Sequence, residues 1–170
     1  MRGLLPVLLG LALLATLTAC AGPAVAPHHS VHEVTPRPDA RGPRVLVVVA
    51  HPDDEVAFAG TLYKTSTLLD GVVDIAMLTN GEGGFKYATL AESIYGVELT
   101  EEAVGRERLP AIRLGEEIAG ARILRVRRIY WFDERDHRYT RDVDEILGED
   151  AKVWDLTAVR AGLDAILRAG

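Results

Sequence analysis

The sequence predicts an α/β fold, with a mostly parallel sheet covered by helices on both faces. Three observations carry that expectation. Residues 45–49 are five consecutive apolar, mostly β-branched residues, the pattern of a strand buried on both sides of the pleat. A helical spacing follows at once through Val56, Phe58, Leu62, Leu68 and Leu69, and a second strand-like run occupies residues 72–78. Between the first strand and that helix stand His51, Pro52, Asp53, Asp54 and Glu55, at the edge where open α/β sheets place their ligands.

In chain order, Arg2 precedes an apolar run over residues 4–15, and Leu17-Thr18-Ala19-Cys20 closes on small residues and a cysteine. The run is too short for a membrane span and reads as a signal peptide over residues 1–19. Its last four residues resemble the lipobox of bacterial lipoproteins. That resemblance implies an exported chain, anchored to the membrane of the bacterial cell envelope through a lipid on Cys20. Cys20 is the only cysteine, so no internal disulfide can form. Residues 21–43 hold five of the eight prolines and almost no large apolar residue, which predicts an extended, flexible tether over residues 20–43. His28, His29 and His32 read as solvated residues of that tether.

The domain itself is expected over residues 44–170. Its first helix, about residues 55–69, ends before the Asp70-Gly71 turn signal. The second strand runs into Thr79-Asn80-Gly81-Glu82-Gly83-Gly84, a flexible loop at the same sheet edge as the acids. A phosphate-cradling loop would want Lys or Ser/Thr opening the next helix, and Phe85-Lys86-Tyr87 does not supply it. Residues 85–108 read as a surface excursion. Tyr87 and Tyr95 within it are either sugar-stacking or half-buried packing residues. Pro110 breaks a long helix, so the next core helix is expected to start near it, with Leu114, Ile118 and Ala121 as its sheet-facing stripe. A third strand over residues 127–132 leads into Asp133-Glu134-Arg135-Asp136-His137. A last helix follows Asp155, a good N-cap, through Leu156, Val159, Leu163 and Ile166.

Three carboxylates beside an imidazole repel one another unless a cation or a proton intervenes. Pro52 fixes one φ angle and pushes His51 towards an extended conformation, stiffening the turn. A nitrogen-plus-oxygen ligand set suits zinc, whereas an all-oxygen set favours magnesium or calcium. Acids that merely cap a helix N-terminus account for Asp54 or Glu55, but leave His51 and the doubled aspartate unexplained.

The run Ala50-His51-Pro52-Asp53-Asp54-Glu55 resembles the LmbE-like, or PIG-L, zinc-dependent de-N-acetylases, which act on N-acetylglucosamine-type sugars. The resemblance covers about residues 44–170. It implies a Rossmann-like three-layer αβα fold, Zn2+ held by His51 and Asp54, and Asp53 as the general base. It also implies a Gly-Glu loop beside the metal, which points to Glu82, and an Arg-x-x-Glu pattern whose arginine holds substrate, here Arg113 with Glu116. The competing reading of that pair is a surface ion pair of little energetic weight. Asp136, with Asp133, is a candidate for contacting sugar hydroxyls. His137 reads as a loop residue rather than a metal ligand.

With Arg2 removed, 25 acidic residues face 18 basic ones, a net charge of −7 that argues against nucleic acid as a partner. The expected activity is zinc-dependent hydrolysis of the N-acetyl amide of an N-acetylated amino sugar. Two alternatives stand beside it: a magnesium-dependent phosphoryl-transfer acid pocket, and a catalytically inactive lipoprotein domain that binds glycans or a partner. Family members take a third metal histidine from a later segment, so the expectation is an amino-terminal portion of a deacetylase, its sheet incomplete at the C-terminus. The first apolar strand is then expected at a sheet edge, prone to aggregation.

Overall fold

The computed structural model describes residues 28–148, 150 and 153–170. The signal peptide and Cys20 therefore lie outside the described residues. Four strands form one sheet: β1 (Ser30–Glu33), β2 (Arg44–Val49), β3 (Val72–Thr79) and β4 (Arg128–Glu134), in the order β1-β4-β3-β2. β2, β3 and β4 are mutually parallel, and β1 runs antiparallel along β4. The three expected strands thus lie in the expected sequence-neighbour order, with β2 at an edge.

The helices are α1 (Ala59–Tyr63), α2 (Thr89–Tyr95), α3 (Glu102–Ile123), α4 (Asp144–Leu147) and α5 (Leu156–Ala169). The period of two along β3 divides the core. Val73, Ile75 and Met77 pack with Val49, Leu62, Ala121, Ile129 and Trp131 beneath α1 and α3. Ala76 packs on the opposite face with Tyr130, Phe132, Val159 and Ile166 beneath α5. This is the three-layer arrangement, and each layer is closed by apolar residues that water excludes. Asp155 caps α5 by accepting the Ala158 N–H at 2.9 Å.

Three expectations are corrected. From residue 28 the expected tether lies against the domain. His28 Nε2 is 2.6 Å from Glu134 Oε1, and the His29 ring sits 4.9 Å from that of Phe132 and 5.4 Å from that of Tyr130. β1 meanwhile satisfies the free backbone edge of β4, a strand edge that proteins otherwise have to protect. Farther on, Asp70 gathers Arg37 at 3.0 Å and the Arg41 N–H at 3.3 Å, fixing the proline-rich crossing.

The second correction concerns α3, which runs unbroken through Pro110. Its first half is held from outside: Leu109 is buried in a separate apolar cluster with Phe85, Ala88 and Leu99. Gly105 lies so close to that cluster that a Cβ there would come within 2.4 Å of the Phe85 Cβ. Tertiary packing overrides the helix-breaking tendency of one proline. The third is the first helix, which is α-helical only over α1. It is flanked by a 3-10 turn at Asp54–Phe58 and a π turn at Lys64–Leu68.

Candidate active site

The site is built where the chain leaves the C-terminal ends of β2, β3 and β4. Beyond Val49, the Ala50 carbonyl accepts from both the Thr79 N–H at 2.8 Å and the Thr79 hydroxyl at 2.7 Å. This clasp ties the His51 loop to the end of β3. The loop closes on itself as Asp54 Oδ2 accepts the His51 N–H at 2.9 Å.

Asp53 has φ 99°, ψ −13°, a left-handed conformation costly for any residue with a Cβ and concentrated at functional sites. Two partners hold it there. Its N–H donates to the buried Glu55 at 3.1 Å. From α3, Arg113 donates to the Pro52 carbonyl and to Asp53 Oδ2, the latter at 2.6 Å. Arg113 also reaches Glu116 at 3.2 Å, so the Arg-x-x-Glu pair is a surface ion pair and an anchor of the Asp53 loop at once. Gly81, at φ 74°, lets the second loop pack onto this assembly. A Cβ there would stand 3.2 Å from Pro52 and 3.4 Å from Arg113.

Asp136 arrives from the segment after β4 and is buried. Its Oδ2 accepts the Gly83 N–H at 3.0 Å, and its Oδ1 is 3.3 Å from His51 Nε2. Gly83 is required for this approach, because a Cβ would fall 2.8 Å from the Asp136 carboxyl. The hydrogen bond that the His51 ring donates to the Asp136 carboxylate is the largest influence raising the His51 pKa above its ordinary value. The charges of Asp136 and Asp54 add to it, against burial. Behind the loop, burial and then the charge of Glu55 push the Glu117 carboxyl up to about 8. Glu117 Oε1 is buried without a hydrogen-bond partner.

These side chains surround a cavity of about 410 Å3 lined by His51, Asp53, Asp54, Tyr87, Arg113 and Asp136 among others. The structure thus brings together five of the sequence-derived candidates: His51, Asp53, Asp54, Arg113 and Asp136. Glu82 is not in the wall. Its carboxylate faces Arg106 at 3.4 Å and Arg135 at 3.7 Å. Asp133 is exposed and likewise outside the wall. Tyr87 lines the mouth, whereas the Tyr95 hydroxyl donates to Glu116 at 2.9 Å. His137 is a loop residue, 2.9 Å from Glu145.

Two donors on one zinc, each about 2.0–2.1 Å from it in a tetrahedral shell, lie about 3.4 Å apart. His51 Nδ1 and Asp54 Oδ2 are 3.5 Å apart, so the pair fits two positions of such a shell. Among the described residues, no group of three or more His, Cys, Asp and Glu side chains is placed to hold an ion.

Over residues 46–169 the sequence matches the family described as PIG-L: GlcNAc-PI de-N-acetylase. The chain belongs to this family. Among solved structures it is similar to the N,N'-diacetylchitobiose deacetylase from Pyrococcus horikoshii, complexed with its inhibitor MPG. The identity is 30% and the TM-score 0.48, covering 74% of this chain and 37% of that one. The chain thus spans little more than a third of that deacetylase's length. No curated protein matches it.

Several residues that shape the site in this PIG-L family member carry no signal of their own in the sequence. Thr79 is one. Arg106 is another: it pairs with Glu82 and donates to the Asp136 carbonyl at 3.3 Å, tying two loops together. It lies in the stretch expected as a surface excursion. Glu117 looks like an ordinary polar position beside Glu116, and only the packing of α3 on the loop buries it. Gly83 could have been flagged by its place in the Gly-rich loop, but its need becomes visible only with Asp136 against it.

Proposed function

We infer that this chain carries the water-activating part of a hydrolase that cleaves the N-acetyl amide of an N-acetylglucosamine-type sugar or glycoconjugate, with Zn2+ as its ion. The observation that carries this reading is one juxtaposition. The Asp53 carboxylate, held by Arg113, shares a cavity edge with the His51–Asp54 pair. Membership of a de-N-acetylase family supports it.

Asp53 takes a proton from the attacking water. The water oxygen bonds to the acetyl carbonyl carbon and the C–N bond breaks as the leaving nitrogen takes up a proton, with the Asp53 carboxyl giving back the one it received; acetate and the free amine leave, and Asp53 is a carboxylate again. Zinc, when bound at His51 and Asp54, supplies Lewis-acid polarisation and a lowered pKa for bound water. Arg113 fixes the direction of the Asp53 carboxylate. Asp136, oriented by Gly83, has acceptor capacity left for a sugar hydroxyl.

The test is metal analysis of protein purified without added metal, with acetate release as the activity. The expected result is zinc that is lost in His51→Ala, with zinc-dependent acetate release. Magnesium-dependent phosphate release with no zinc retained would point instead to phosphoryl chemistry. A lipid on Cys20 would hold this site at the envelope surface, a reading supported by Leu17-Thr18-Ala19-Cys20. Labelled palmitate incorporated by the chain, and absent from Cys20→Ala, is the expected check.

A further inference from the structure

Exposed apolar side chains crowd the rim of the site. Tyr87 lines both the site cavity and a neighbouring cavity of about 530 Å3. Leu90 lines the first, while Tyr139, Val143 and Leu147 line the second. Ile94 stands one helical turn beyond Leu90 on α2. All of these but Leu147 are at least 65% exposed, and apolar surface left open in one region marks an interaction site. The charges among them are mixed: Lys86, Arg138 and Arg141 stand beside Asp142 and Asp144, all of them exposed. Net charge therefore selects no partner here. What the rim offers is aliphatic side chains and two tyrosines, a composition suited to the boundary between lipid and water.

Exposed apolar residues also occur at the opposite edge of the sheet, among them Leu68, Ile123 and Leu167. The path of the chain decides between the two edges. The His28 ring is 2.6 Å from Glu134, the last residue of β4, so the amino-terminal segment joins the domain at the site edge. Cys20 precedes His28 by eight residues, a stretch that reaches at most about 28 Å when fully extended. The eight residues of β3 alone span about 26 Å from edge to edge, before the turns at either end are added. A lipid on Cys20 thus reaches a bilayer lying against the site edge with length to spare. It reaches one lying against the opposite edge with none.

We propose that the rim of the site is a membrane-docking surface, on which Tyr87, Leu90, Ile94, Tyr139 and Val143 settle into the headgroup layer of the bilayer that holds the lipid. The proposal rests on the lipid-anchor reading above and adds to it which face of the domain meets the membrane. The mouth of the site then opens onto the headgroups.

The full chain, carrying its lipid on Cys20 and reconstituted into phosphatidylcholine vesicles, provides the test. Lipidation consumes the thiol of the only cysteine, so Leu90→Cys, Val143→Cys and Leu167→Cys each offer a single position for a fluorescent label. All three replace exposed side chains, where substitution is well tolerated. Spin-labelled phosphatidylcholine is expected to quench the label on Leu90→Cys and Val143→Cys roughly twofold or more above that on Leu167→Cys, as side chains seated at the headgroup boundary imply. Equal quenching at the three positions, or stronger quenching on Leu167→Cys, would overturn the orientation. Self-quenching on Leu90→Cys and Val143→Cys that grows with protein density and ignores the spin-labelled lipid would put a second copy on the rim, and would overturn it also. A chain that takes up no palmitate, leaving Cys20 open to the label, would overturn the lipid-anchor reading and the proposal with it.

Discussion

At the scale of single residues the site is a set of carboxylates kept apart by their environments. Asp53 is exposed and tied to a guanidinium, Asp136 is buried beside an imidazole and an amide, and Glu117 is buried against another acid. Of these, Glu117 gives the clearest pH dependence. Its carboxyl titrates near 8 in the folded chain against an ordinary 4.5, so between those values the folded state holds a proton that the unfolded state has released. Stability from this group is fully present below about pH 4.5 and falls as pH rises, until it is lost beyond about 8. Glu117→Gln, neutral at every pH, is expected to melt higher than the unaltered protein at pH 8.5, by about 2–4 °C for each 1 kcal/mol gained. The advantage should vanish near pH 4.5. Melting curves across that range check it, and parallel curves for the two proteins would contradict the burial argument.

At the scale of elements, what was legible in the sequence follows from how local the signal is. The strands β2 and β3 announce themselves because both faces of each strand must be apolar. α5 does so because its apolar stripe and Asp155 cap agree. α3 does not. Pro110 is a strong local breaker, and the counterweight is Leu109 and Gly105 packed on Phe85 and Leu99, contacts invisible until the chain is folded. β1 was hidden for a similar reason: four residues in a proline-rich stretch gain strand structure only by pairing with β4. β2 has the opposite character. It pairs with β3 alone among the described strands, and Val48 on it is 47% exposed. α5 covers β3 and β4 on that face and leaves Val48 uncovered. An apolar edge of this kind pairs readily with other chains, and a charge within it discourages pairing. Val48→Lys should shift the protein towards monomer in size-exclusion chromatography with little change in melting temperature. A wild-type chain already monomeric at high concentration would contradict the edge argument.

At the scale of the whole molecule, the parallel order of β2, β3 and β4 makes the site. It brings three loops to one edge: His51 to Asp54, Gly81 to Gly84, and Asp136. The motif around His51 was readable because four chemically unusual residues stand together. Asp136 was readable as a candidate but not as the neighbour of His51, since that contact spans two strands. Arg113 was readable only through the resemblance of its Arg-x-x-Glu pattern to the family's, and its hold on Asp53 depends on where α3 crosses the sheet edge. The central claim is that Asp53 takes the proton from the attacking water while His51 and Asp54 hold the ion. The most direct test is acetate release by zinc-loaded Asp53→Asn, measured with its zinc content. The account predicts zinc retained at the wild-type level and turnover reduced by about 100-fold or more, the usual weight of a positioned general base. Normal turnover with zinc still bound would contradict it.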